Sequence, residues 1–216
     1  MTRLTAAGAR ARYQSTLAWS DGAPTRRTRT SWVLGERACL VELSNDVVLS
    51  PGQLREIVES IAKLPKTWQS KVYFDLTERY CVRLHREDAY EVWLICWDIG
   101  QDTLLHDHGG SSGAFTVAKG SLVEDYGKIT KSRLRTRRHK AGKSVGFGPD
   151  YLHNLVNVGM EPTVSIHAYS PPLRVMNFYC SLPSGTHHLR AIECDTPEPD
   201  TTALEAEAAT LRVAQR

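Results

Sequence analysis

Long apolar runs are missing from this sequence. None of its 216 residues fall in a stretch approaching the roughly 20 apolar positions a helix needs to span a bilayer. The opening residues, Met1 to Gly8, are basic and small but carry no apolar core, so a secretory leader is not expected. Cysteine is scarce and unpaired in pattern. Cys39, Cys81, Cys96, Cys180 and Cys194 are odd in number and scattered, with no C-x-x-C pair. Neither a disulfide framework nor a cysteine zinc site is expected, and a reducing cytoplasm is the default compartment. Neither sign of charge dominates: a net charge of +3 is too small to imply a nucleic-acid partner. The strongest basic run, Lys128 to Lys143, alternates Arg133, Arg135 and Arg137 with few aromatics between them, so it reads as a solvated hairpin on a barrel exterior.

What the chain does have is the material for one full core, with 41% hydrophobic and 24% charged residues. Residues 1–30, rich in Ala, Arg, Thr and Ser, read as a loose lead-in. The stretch from Ser50 to Leu64 predicts a helix. Ser50 is a good N-cap, Pro51 suits the first helical position, and Leu54, Ile57, Val58, Ile61 and Leu64 form one stripe that ends at Pro65. From Val72 to Tyr179 short β-rich runs alternate with glycine and proline turns, which predicts a mainly β sandwich or small closed barrel. The domain is expected over 31–183. Residues 184–216 read as an extension that ends in an Ala- and Glu-rich helix from Thr201.

The chemistry is concentrated in histidines. His106 and His108 stand two apart between apolar runs and glycines, so a strand would aim both imidazoles at one point. Imidazole is the commonest protein metal ligand, and His153, after a glycine-bounded turn, is the candidate third ligand. Three neutral imidazoles leave a metal its full positive charge and about three open positions in octahedral geometry. Such a site suits an anionic bidentate substrate with a small molecule such as O2; zinc with water suits it as well. Ser165, His167 and Tyr169 also share a face by their period of two, forming a row of hydroxyl, imidazole and phenol.

The G-x5-H-x-H segment ending at His108, with His153 downstream, resembles the two-part motif of the cupins, a family of small β-barrels or jelly rolls. A glutamate ligand usual in that motif is absent, and Gly113 occupies its place. Taken with Ser165-Ile-His167-Ala-Tyr169-Ser-Pro-Pro172, the pattern resembles the thiol dioxygenases, specifically bacterial cysteine dioxygenase type I, over roughly residues 50–180. The resemblance implies a cytoplasmic enzyme with Fe(II) on His106, His108 and His153. It would add both atoms of O2 to the thiol of L-cysteine, giving cysteine sulfinic acid. It further implies that Tyr169 hydrogen-bonds the bound oxygen or substrate, with His167 orienting it and Ser165 orienting His167. The substrate carboxylate would fall to Arg83, with Tyr80 beside it and Arg174 in reserve. Animal members carry a cysteine at the place of Gly113 that crosslinks to the tyrosine, so Tyr169 is expected to be uncrosslinked. The rival readings are a dioxygenase for another small thiol, such as 3-mercaptopropionate, and a non-catalytic metal-binding cupin. A small thiol and O2 are the expected partners, with no membrane or nucleic acid, and a monomer is expected.

Overall fold

The computed structural model describes residues 48–129 and 133–214. The lead-in over 1–30, the start of the 31–183 domain and Cys39 lie outside them. The predicted helix is α1 (Pro51–Ala62), closed at its start by a reciprocal box. Gln53 N–H donates to the Ser50 hydroxyl and Ser50 N–H donates to Gln53 Oε1 at 2.9 Å, satisfying two of the donors a helix start leaves free. The run from Val72 to Phe74, read as β-rich, forms no strand.

Eleven strands follow among the described residues: β1 (Tyr80–Arg86), β2 (Glu91–Trp97), β3 (Leu105–Asp107), β4 (Ser112–Lys119), β5 (Ser121–Lys128), β6 (Arg135–Lys140), β7 (Ser144–Phe147), β8 (Tyr151–Val156), β9 (Thr163–Ser170), β10 (Val175–Leu182) and β11 (Gly185–Glu193). They form a five-stranded sheet, β1-β2-β9-β4-β7, and a six-stranded sheet, β11-β10-β3-β8-β5-β6. This is the mainly β, two-sheet cupin arrangement with an N-terminal helix.

Period-two alternation sorts β2 cleanly. Val92, Leu94 and Cys96 pack under Leu54 and Val58 of α1, together with Ile166 and Ala168 of β9. Trp93, Ile95 and Trp97 point the other way, meeting Phe115 and Tyr169 of their own sheet and Leu122 and Leu155 of the opposite one. Both faces of β2 and β9 are therefore covered, and every residue of both strands is buried. The chemistry sits in the second of these cores, between the sheets.

The segment after Pro183 is more ordered than its composition suggests. β11 pairs along the whole of β10, and helix α2 (Thr202–Ala214) buries Leu204 and Ala208. Leu204 packs with Met176 and Phe178 of β10.

Candidate metal centre

His106 lies in β3, His108 one residue past its end, and His153 in β8, where the ladder sets it opposite His106. One ring nitrogen from each lies within 4.8 Å of the others. The turn after His108 is fixed by Asp107, whose carboxylate accepts from Gly109 N–H and Asn177 at 2.8 Å each and from the Tyr179 hydroxyl at 2.6 Å. Gly109 has φ +58°, and a Cβ there would meet the Val175 carbonyl oxygen at 2.4 Å, so this turn requires glycine.

Whether the three rings fit a metal is decided by their nitrogens. His106 Nδ1 meets the Leu104 carbonyl at 2.9 Å, and His153 Nδ1 meets Glu124 Oε1 at 2.9 Å. Carbonyl and carboxylate oxygens only accept, so each Nδ1 carries the proton and each Nε2 keeps a free lone pair. Leu104 holds φ +46°, the one non-glycine residue in the left-handed region among those described. The Nε2 of His108 is fully buried and has no hydrogen-bond partner. Burial, and then the charge of neighbouring histidines, holds His106 and His108 well below the ordinary imidazole pKa. Three buried rings at this spacing, with His106 and His153 hydrogen-bonded through Nδ1 and His108 Nε2 left unpartnered, fit a metal ion.

Behind His153 stands a residue that the sequence reading missed. Glu124 of β5 is completely buried. It accepts from His153, from His139 at 2.7 Å, from Arg137 Nε at 2.7 Å and from the Tyr151 hydroxyl at 2.8 Å. Burial alone would raise its pKa, but the hydrogen bonds from His139, His153 and Arg137 outweigh it and hold the carboxyl far below its ordinary range. Its signal was the alternation Leu122, Glu124, Tyr126, a carboxylate in an inward register. The described part of the basic run lies mostly exposed, as an exterior hairpin would, but Arg137 departs from it, turning onto Glu124 and stacking 3.9 Å over the Tyr126 ring.

Ser165, His167 and Tyr169 stand in a row on β9, all buried. Trp97 Nε1 donates to Ser165 Oγ at 2.8 Å, and Ser165 Oγ lies 2.8 Å from His167 Nε2. Burial and the charge of His153 push His167 down to about 3, so the ring is neutral, with one N–H between Ser165 and Tyr169. Nδ1 faces the Tyr169 oxygen at 3.4 Å. The Tyr169 ring lies 5.0 Å from that of His108. Burial, followed by the charges of Cys81 and Glu91, raises the phenol well above its ordinary pKa, so it stays protonated.

The residues expected to hold a carboxylate are not brought together. Tyr80 packs with Val82 and Leu84 on the α1 side of β1, its ring edge-on to Tyr73. Cys81 packs on the opposite side, with the core that holds Tyr169. Arg83, two residues on, lies over the Trp93 ring at 5.1 Å, and its Nη1 is 3.6 Å from the buried Glu91. The ladder slips between Arg83 and His85, which brings Arg86 onto Glu91 as well, at 3.1 Å. Arg174 is exposed. Trp93 Nε1 is buried in this core without a partner.

Comparison with known proteins bears on the same residues. The profile of the family described as "Cysteine dioxygenase type I" matches residues 38–181, well over half of the chain. The chain belongs to the cysteine dioxygenase type I family. It is 29% identical over 133 residues to "Cysteine dioxygenase type 1" of Danio rerio, covering 56% of this chain and 66% of that protein. It is 27% identical over 135 residues to the proteins of that name from Rattus norvegicus and Homo sapiens, covering 56% of this chain and 64% of each. The chain thus spans slightly under two thirds of the length of these relatives. Among solved structures, a cupin superfamily protein from Desulfitobacterium hafniense aligns with TM-score 0.40 and 10% identity, over 48% of this chain and 87% of that one. A protein with a double-stranded β-helix domain from Klebsiella pneumoniae aligns with TM-score 0.41 and 20% identity, over 48% and 80%. In a member of this family, the buried cluster of His106, His108 and His153 is consistent with a metal site. No helix among the described residues is long and apolar enough to cross a membrane.

Proposed function

We propose that this protein is an iron(II)-dependent thiol dioxygenase that converts L-cysteine and O2 to cysteine sulfinic acid. The observation that carries the reading is the pairing of two features in a member of this family. A buried cluster of three imidazoles, one with an orphaned Nε2, stands beside a phenol that burial keeps protonated. Iron(II) on His106, His108 and His153 would supply positions for a thiolate, an amine and O2, and would lower the thiol pKa. The chain's own part is to fix charge and orientation. Glu124 accepts from His153 Nδ1, Leu104 O accepts from His106 Nδ1, and a continuous row of hydrogen bonds runs from Trp97 through Ser165 and His167 to Tyr169. Free Cys81, Cys96, Cys180 and Cys194 suit a reducing compartment such as the cytoplasm.

The test is O2 consumption by iron(II)-loaded protein, with L-cysteine and 3-mercaptopropionate supplied side by side. Uptake with cysteine and a sulfinate product supports the reading. Preference for 3-mercaptopropionate keeps the iron site and changes the substrate; no uptake with any small thiol leaves a metal-binding cupin. A second expected result concerns the far end of the series. Trp97→Phe keeps the packing but removes the donor to Ser165, and turnover should fall about fivefold, the worth of one ordinary hydrogen bond. Turnover equal to the wild type would detach Trp97 from the series.

A further inference from the structure

β3 places two of the three histidines, yet it is a strand of only three residues. Both flanks leave the ordinary backbone, Leu104 at φ +46° and Gly109 at φ +58°. A strand about half the usual length takes its position from its neighbours. β3 makes one ladder pair with β8, His106 with His153. It makes three with β10, where Leu105 faces Tyr179, His106 faces Phe178 and Asp107 faces Asn177. β10 is paired with β11 in turn, and the register between them slips at Phe178 and Tyr179. Such a slip re-aims the side chains beside it. His106 and His108 are therefore placed chiefly from β10.

Asp107 turns that pairing into a grip on His108. Its carboxylate is 2% exposed, and no ion pair from a described residue reaches it. Neutral donors alone hold the charge, and they are divided unequally between its two oxygens. Gly109 N–H and Asn177 both donate to Oδ1, each at 2.8 Å. The bond from Gly109 closes a short turn with His108 as its middle residue. Oδ2 has a single donor among the described residues, the Tyr179 hydroxyl at 2.6 Å. The Tyr179 ring is fixed in its own right. It packs with Leu105 and Leu152, and the His188 ring of β11 meets it edge-on at 5.3 Å. Burial, then the bond to Asp107, raises the phenol pKa, so the hydroxyl keeps its proton.

We infer that Tyr179 is a positioning residue of the metal centre: by holding the second oxygen of Asp107, it sets the turn that aims the His108 imidazole. The inference rests on the three-histidine site above and adds to it a residue placed behind the ligands. Phenylalanine at this position keeps the ring, its packing on Leu105 and its contact with His188, and removes only the donor. Asp107 Oδ2 is then buried without a partner, a state relieved most directly by rotation of the carboxylate. Rotation releases Gly109 N–H, opens the turn and lets His108 swing. His106 and His153 have supports of their own, the Leu104 carbonyl and Glu124. The loss therefore falls on His108 alone.

Nickel(II) titration of the full chain by calorimetry tests this in two backgrounds. Nickel(II) binds nitrogen sites more tightly than iron(II), so the two-histidine remnant of His108→Ala is still measurable. Tyr179→Phe should weaken binding about tenfold in the wild type, the low end of the loss for a group behind a ligand. In His108→Ala the same change should weaken it by less than about twofold, because the ligand through which Tyr179 acts is gone. A general weakening of the fold would instead lower affinity alike in both backgrounds. Unchanged affinity in the wild type, or an equal loss in both backgrounds, overturns the inference. Should Tyr179→Phe not fold, Asn177→Ala removes the other side-chain donor to Asp107 and is read in the same two backgrounds, with the same expectation. Nickel binding that ignores His108→Ala overturns the metal site and this inference with it. The titration uses neither thiol nor O2, so a failed dioxygenase reading shows as absent turnover with the nickel pattern intact.

Discussion

Iron(II) titration of Glu124→Gln is expected to give an affinity about 10–100-fold weaker than the wild type, the usual cost of losing the partner behind a ligating histidine. His153→Ala should lose stoichiometric binding altogether. The two variants separate the ligand from its support. Glutamine keeps the size of Glu124 but presents one acceptor oxygen and an N–H2 group to four donors, those of His139, His153, Arg137 and Tyr151. At least one buried donor goes unpaired, and the guanidinium of Arg137 loses its counter-charge. Breaking a buried ion pair from one side costs on the order of 3 kcal/mol, so the metal-free variant should also unfold at lower denaturant. The pH dependence has a definite sign. The carboxyl is held below its ordinary value of 4.5 in the folded chain. Its stabilising contribution is therefore complete above that pH and is lost as pH falls towards the depressed value. The gap in stability between wild type and Glu124→Gln should close on acidification. A gap that stays constant from neutral pH down to acid would show that the charge of Glu124 contributes nothing.

The sequence makes the ligands legible and the support much less so, for a physical reason. His106, His108 and the Ser165-His167-Tyr169 row are local patterns, two residues apart on strands, and strand periodicity alone brings them to one face. α1 was equally readable, because its cap, its proline and its apolar stripe all lie within fifteen consecutive positions. Glu124 carries no such local pattern. It matters because β5 pairs with both β6 and β8, which brings Arg137, His139, Tyr151 and His153 around one carboxylate. Only the ladder registers convey that. The same holds for Asp107 and Tyr179, 72 residues apart in the chain. The basic alternation over Arg133, Arg135 and Arg137 does not announce the contact of Arg137 with Glu124, because a period of two cannot say which face is inward. β11 escapes notice because its residues are mostly exposed or half-buried and its order comes from pairing with β10.

Gly113→Cys should destabilise the protein by about 1–3 kcal/mol, the usual cost of forcing extra atoms into a packed core. The position is a strand residue, and its glycine is demanded by packing. A Cβ built there would stand 2.4 Å from Phe147 Cζ, 2.5 Å from Phe147 Cε2 and 3.1 Å from Tyr169 Cδ1. Phe147 has little freedom to retreat, since it stacks on His108 at 5.0 Å and on Tyr151 at 4.9 Å between ring centres. A cysteine side chain at this place therefore collides with the Phe147 ring, which fills the volume beside Tyr169. The expected loss has a companion. Removing the obstruction in Gly113→Cys/Phe147→Ala should be less damaging than the two single changes added together, because the new side chain occupies part of the cavity that alanine leaves. A chemical-denaturation cycle over the four proteins reads this coupling directly. Additive losses would mean that the new side chain and the Phe147 ring do not compete for the same space. A Gly113→Cys protein as stable as the wild type would mean that the ring moves aside freely, and then His108, which it stacks against, should lose metal affinity instead.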